Sequence, residues 1–202
     1  INDAIHRIVP SEYKNTWQQL DNPLYAFKKI AKGPKITKPK HIFFIVGESI
    51  PQWSLDETHK LLNICPGLWD FKSQPNTVQI PNFLPAGNVS RPSIVSLMSG
   101  IYDAGLELNE REQFWNGSFP TSFAYQMKQL GYQTIYWYGG NASYGNFNHF
   151  GKAQGFDRVE SASIFCGPDA PKTWVGVYDH IFLENIEQQI KALDTPTFHF
   201  IY

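Results

Sequence analysis

Residues 41–49 read HIFFIVGES. From Ile42 to Val46 the run is unbroken, apolar and rich in β-branched and aromatic residues, and it stops at Gly47. A run without polar alternation predicts a strand covered on both faces, the central kind found in parallel sheets. Glu48 and Ser49 follow where the carboxyl end of that strand meets the rim, which is where open α/β sheets collect ligands. A carboxylate delivered there suits a hard or borderline cation. The plainer reading is a glutamate that caps the next element.

Two further runs share this character. YQTIYWYGG (132–140) is an aromatic, β-branched strand that ends in glycines, and PTFHFIY (196–202) reads as a buried strand. Helical patterns lie between them. Residues 88–100, NVSRPSIVSLMSG, predict a helix with Ser90 as N-cap, Pro92 in the first turn and a stop at Gly100. Its apolar face is Ile94, Val95, Leu97 and Met98. TSFAYQMKQLG (121–131) places Phe123, Ala124, Met127 and Leu130 on one face and stops at Gly131. Residues 146–153 form a short helix. Asp179 caps a longer one whose inward face is Ile181, Leu183, Ile186, Ile190 and Leu193. Polar residues 56–60 lead into LLNIC as a helix, and TVQIPNF (77–83) is a short strand. Strands alternating with amphipathic helices imply an α/β layered fold with a mostly parallel sheet.

The 202 residues are 42% hydrophobic and 15% aromatic, enough for a sizeable core, and the net charge of −1 favours neither nucleic acid nor an anionic membrane. Residues 1–37 read as an arm ahead of a domain over 38–202. The run KKIAKGPKITKPK (28–40), with six lysines and no acid, reads as a solvated linker. Cys65 and Cys166 match no metal or redox spacing, so one disulfide and two free thiols fit equally well. No 18-residue apolar stretch and no signal-peptide pattern occur. The start at Ile1 and the stop inside a strand read as a piece of a longer polypeptide.

Ser90 carries the chemical interest. A serine opening a helix lies where orphan N–H groups converge and favour negative charge. No G-x-S-x-G elbow, P-loop or dinucleotide fingerprint is present. GGNASYG (139–145) is a weak echo of a phosphate-binding turn, and His149 in SYGNFNHF ranks lower as a ligand. NVS, NGS and NAS match the glycosylation acceptor pattern.

The combination of GES after a strand, Ser90-Arg91-Pro92-Ser93 some forty residues on, and Ser99-Gly100 resembles the alkaline phosphatase superfamily, in particular its sulfatase-like branch. There a C/S-x-P-S-R nucleophile motif closes on T/S-G. GYQTIYWYGGNASYGNFNHFGKAQGFD is similar to a segment of lipoteichoic acid synthases and related phosphoglycerol transferases, and the 174–202 region to the helix and strand after it. The resemblance covers residues 41–202, about the first half of such a catalytic domain, and implies a three-layer α/β/α fold. It implies Glu48 as a metal ligand, Ser90 as a nucleophile that also touches the metal, and Arg91, Asn141 and His149 as substrate contacts. It implies a divalent ion (Mn, Mg, Zn or Ca), with the other ligands downstream of this sequence.

The chain departs from the pattern at two places. Ile94 stands where sulfatases place arginine, and Tyr144-Gly145-Asn146-Phe147 stands where lipoteichoic acid synthases carry a Trp-Asn-Arg cluster.

The resulting expectation is a metal-dependent phosphotransferase or hydrolase acting on a lipid- or glycan-linked phosphoester through a covalent Ser90 intermediate. It would work outside the cytoplasm, with membrane association through a segment outside this chain. The alternatives are a sulfatase in which Ser90 becomes formylglycine, and a non-catalytic binding domain in which Ser90 is only a cap.

Overall fold

The structure, a computed structural model, describes residues 37–80 and 83–202. The arm expected over 1–37, apart from its last residue, and the lysine run, apart from its last four, lie outside the described residues. Residues 39–202 form one compact unit.

Four strands make its sheet: β1 (His41–Ile45), β2 (Gln133–Tyr138), β3 (Arg158–Ser161) and β4 (Thr197–Ile201). Their order is β1-β4-β2-β3 and every pairing is parallel. Among the described residues the α-helices in chain order are α1 (Pro66–Lys72), α2 (Ser90–Ser99), α3 (Phe123–Gln129), α4 (Phe147–Ala153), α5 (Ala162–Phe165) and α6 (Asp179–Lys191). All five residues of β4 are buried, Thr197 and His199 included, as befits a strand between two others.

Alternation along the strands sorts the core into two layers. Tyr136, Phe198 and Phe200 face one way and meet Ile94, Val95 and Met98 of α2, Ala124 of α3, and Phe147 and Phe150 of α4. Register aligns Phe44, Phe200 and Tyr136 in a row across three strands, with Phe44 stacked on Phe200 at 5.2 Å. Ile135, Trp137 and Ile201 face the other way, onto Ala162 of α5 and Phe182 and Ile186 of α6. Helices therefore cover both faces of β4 and β2, and the three-layer α/β/α expectation holds; β1, expected to be central and covered on both sides, is an edge strand whose Phe43 and Ile45 are exposed.

His199 interrupts the second layer. It is fully buried, accepts a hydrogen bond from Trp137 Nε1 at its Nδ1 (3.1 Å), and stacks on Phe43 at 4.8 Å. With Nδ1 accepting, the neutral ring carries its proton on Nε2 and donates to His41 Nδ1 at 3.2 Å. Burial first, then the nearby His41, lowers its pKa from 6.5 to about 4. The neutral ring is thus favoured by folding. That stability is complete above pH 6.5 and is lost as pH falls from there toward 4, by roughly 3 kcal/mol at the limit. The urea midpoint is expected to fall across this window in wild type and to flatten in His199→Gln; parallel curves would show that His199 is not the titrating group.

Several elements differ from the sequence expectation. Residues 57–62 form a 3-10 helix stopped by Asn63 in the left-handed region, so the α-helix begins only at Pro66. No strand forms over the described residues 77–80. β3 is an addition: RVES carries two charges in four residues and shows no strand pattern. In α6 the buried pair is Phe182 and Ile186, whereas Leu183 is 45% exposed. Ser90 is the first helical residue rather than the N-cap, which is Val89; Gly100 does supply the left-handed stop, at φ 68°. Cys65 and Cys166 are both free thiols.

Beyond the end of β2, backbone lies directly on backbone. Val177 N donates to Gly139 O at 3.0 Å. A Cβ on Gly176 would stand 2.4 Å from that same oxygen, and one on Gly140 would stand 2.6 Å from Val175 O. Only glycine permits this approach.

Candidate active site

The carboxyl ends of β1, β4 and β2 lie side by side, so Glu48, Tyr202 and the 139–146 loop share one rim of the sheet. β1 is prolonged by Val46 N donating to Ile201 O at 2.9 Å, after which Gly47 and Glu48 turn outward. The helix α2 brings Ser90 to the same place. Ser90 Oγ donates to Glu48 Oε2 at 2.9 Å across 42 residues of sequence. Ser90 is the first helical residue, one position past the N-cap, so its hydroxyl has no capping role and gives its proton to the carboxylate. The amides of Ser90 and Arg91 in the first turn have no acceptor among the described residues, and Pro92 has no amide to satisfy.

Tyr202 adds a second donor. Its hydroxyl also donates to Glu48 Oε2, and its ring stacks on Tyr138 at 5.8 Å and 18°. Burial, then the hydrogen bond to Glu48, pushes the Tyr202 hydroxyl well above the usual phenol range, against the lowering effect of Ser90. Burial likewise raises Tyr138, with Tyr144 and Glu48 adding to it and Arg91 opposing. Both phenols therefore stay protonated near neutrality, and Glu48 faces donors only.

Arg91 reaches sideways from α2. Its Nη1 donates to Glu110 Oε1 at 3.0 Å, and its guanidinium lies 5.4 Å from the Tyr144 ring centre. Tyr144 is 68% exposed at this edge. Asn141 is exposed and holds its own turn, accepting from Ser143 N at 3.0 Å. His149 sits elsewhere on α4. It stacks on Trp115 at 5.0 Å and lines a shallow groove with Asn116, Gly117 and Lys152; none of its contacts is to Ser90 or Glu48.

Of the five residues singled out by sequence, the structure thus brings Glu48 and Ser90 into contact and puts Arg91 at their flank. Asn141 sits on the loop beyond β2, and His149 packs on Trp115. Tyr202 and Glu110 were missed. The rule that picked Glu48, a polar residue at the carboxyl end of a buried strand, also applies to Tyr202.

Glu48 Oε2 and Ser90 Oγ are hard oxygen donors on an open rim, a set that fits a divalent cation such as Mg, Mn or Ca and is compatible with Zn. Two such oxygens would be only part of the shell that a cation of this kind takes. Among the described residues no three His, Cys, Asp or Glu side chains cluster as a fuller one.

A family model described as Sulfatase matches residues 40–202, and the chain belongs to that family, whose members are hydrolases and transferases that generally depend on metals. No curated protein matches the sequence. Among solved structures the chain is similar to a protein of the alkaline phosphatase superfamily from Vibrio parahaemolyticus, at 22% identity and a TM-score of 0.43 over 53% of this chain and 26% of that one. It is also similar to the lipoteichoic acid synthase LtaP from Listeria monocytogenes, at 17% identity and a TM-score of 0.46 over 57% and 28%. The matched part is about a quarter of each of those proteins. Among the described residues no helix is long and apolar enough to cross a membrane.

Proposed function

We propose that this domain belongs to a metal-dependent transferase or hydrolase that moves a phospho head group, of the phosphoglycerol type, from a lipid or glycan donor through a covalent bond to Ser90. The observation that carries this reading is the 2.9 Å contact between Ser90 Oγ and Glu48 Oε2, made where three strands end. Serine is a weak nucleophile at its free pKa and needs activation. A divalent ion, held by Glu48, Ser90 and ligands from the rest of the protein, supplies that activation and charge neutralisation when bound.

The chain's own residues do the remainder. Ser90 Oγ bonds to phosphorus as the bond from phosphorus to the donor oxygen breaks, and the proton leaving Ser90 ends on the departing alcohol. An acceptor hydroxyl or water then reverses the exchange and restores the serine. The free amides of the first turn of α2 and the Arg91 guanidinium stabilise the equatorial oxygens. Asn141 borders the site from the β2 loop, and the His149–Trp115 groove is a place for a further part of the donor. Action outside the cytoplasm and membrane attachment through another segment belong to the same proposal.

The test is a quenched reaction of the complete protein with phosphatidylglycerol vesicles, followed by mass spectrometry of the peptide that carries Ser90. That peptide is expected to gain the mass of the head group. An adduct on another residue, or none with this donor, overturns the phosphoglycerol reading. A Ser90 peptide lighter by about 2 Da before any substrate is added would mark formylglycine and the sulfatase chemistry instead.

A further inference from the structure

Glu110 lies in a short 3-10 turn (Leu108–Glu110) far in sequence from any strand end, and no sequence motif marks it. Its two carboxylate oxygens go to different partners. Oε1 accepts from Arg91 Nη1 at 3.0 Å, and Oε2 accepts from Asn146 Nδ2 at 2.6 Å. Its neighbour Asn109, fully buried, donates to Gly145 O at 2.6 Å. Two successive residues of one turn therefore fix both the Tyr144–Asn146 bend and the arginine that lies against Tyr144. Arg91 spends only Nη1 on this link; its Nε and Nη2 donors have no partner among the described residues. An arginine fixed at one corner by a carboxylate and backed by an aromatic ring has lost its rotamer freedom in advance, and presents its remaining donors as a preset fork.

We infer that Glu110 is a positioning residue that holds Arg91 as the anion-binding arm beside Ser90, setting the geometry in which a tetrahedral phosphate or sulfate is gripped. The inference rests on the reading that the Ser90 rim takes such an anion. Glu110 acts only through Arg91 and the 144–146 bend.

The sign of the effect separates positioning from plain electrostatics. Removing a negative charge near an anion site strengthens anion binding if charge alone matters. Losing the clamp weakens it, because the guanidinium must then be ordered on binding. The experiment titrates inorganic phosphate calorimetrically into the complete protein, purified with its native metal content, as wild type, Glu110→Gln, Arg91→Ala and the double variant.

The expected result is about tenfold weaker binding in Glu110→Gln, a loss at least as large in Arg91→Ala, and no further loss in the double variant. Equal or tighter binding in Glu110→Gln, losses that multiply in the double variant, or no phosphate binding by wild type overturns the inference. Should Glu110→Gln fail to fold, Glu110→Asp keeps the charge and shortens the reach, and wild-type affinity in that variant is equally fatal. A Ser90 adduct with phosphate affinity indifferent to Glu110 would sink this inference alone. Clamp-dependent phosphate binding without an adduct would sink the covalent reading alone.

Discussion

Ser90→Ala in the complete protein is expected to lower turnover of phosphatidylglycerol by about a thousandfold or more, with folding unchanged. The size follows from the proposed role: with Ser90 as nucleophile, loss of the hydroxyl would remove the covalent intermediate and leave only anion binding and direct attack by the acceptor. Folding should survive because Ser90 is the first helical residue and its side chain caps nothing. Alanine is a good helix former at that position. The measurement is diacylglycerol release beside a thermal melt. A variant that melts like wild type and keeps full turnover would end the covalent mechanism. Ser90→Thr, which keeps a hydroxyl, is expected to retain part of the activity.

Glu48→Ala should come next in size. This carboxylate has two hydroxyls aimed at one oxygen, from Ser90 and Tyr202, and among the described residues it is the only carboxylate that Ser90 Oγ contacts. Removing an outer-shell partner of a metal typically costs ten- to a hundredfold in affinity, so removing a ligand should cost about a hundredfold or more. Metal affinity, read by titration of the stripped complete protein, is expected to fall by that amount. Turnover should fall with it and be partly restored by excess cation. Unchanged metal affinity would remove Glu48 from the coordination shell and return it to a purely structural part, holding the two hydroxyls.

How much of this was legible in the sequence depends on the distance over which each signal acts. β1, β2 and β4 were visible because each is a short run dense in aromatic and β-branched residues, a pattern contained in a few residues. β3 was not, since Arg158 and Glu160 pair with each other at 2.8 Å and mask the strand as a polar stretch. The face of α6 was misjudged by one position, Leu183 for Phe182, because a helix with apolar residues at 181, 182 and 183 has no unique stripe. The Glu48–Ser90 pair could be reached from resemblance and from where strands end. Tyr202 donates to Glu48 across 154 residues, and Glu110 joins Arg91 to Asn146 through a turn with no periodicity. Such contacts exist only after the chain has folded, so local patterning leaves no trace of them.

The main-chain seam between residues 139–140 and 175–177 separates frame from decoration. Because no side chain intervenes there, the anchoring of the chain just beyond β2 rests on main chain alone, whatever stands at Ser143 or Tyr144. Substitution of the exposed Ser143 or Tyr144 would therefore change what the rim presents, and at Tyr144 what backs Arg91, while the seam itself stays closed. Gly140 and Gly176 have no such liberty: even a methyl at either would pry the seam apart and carry the whole loop with it.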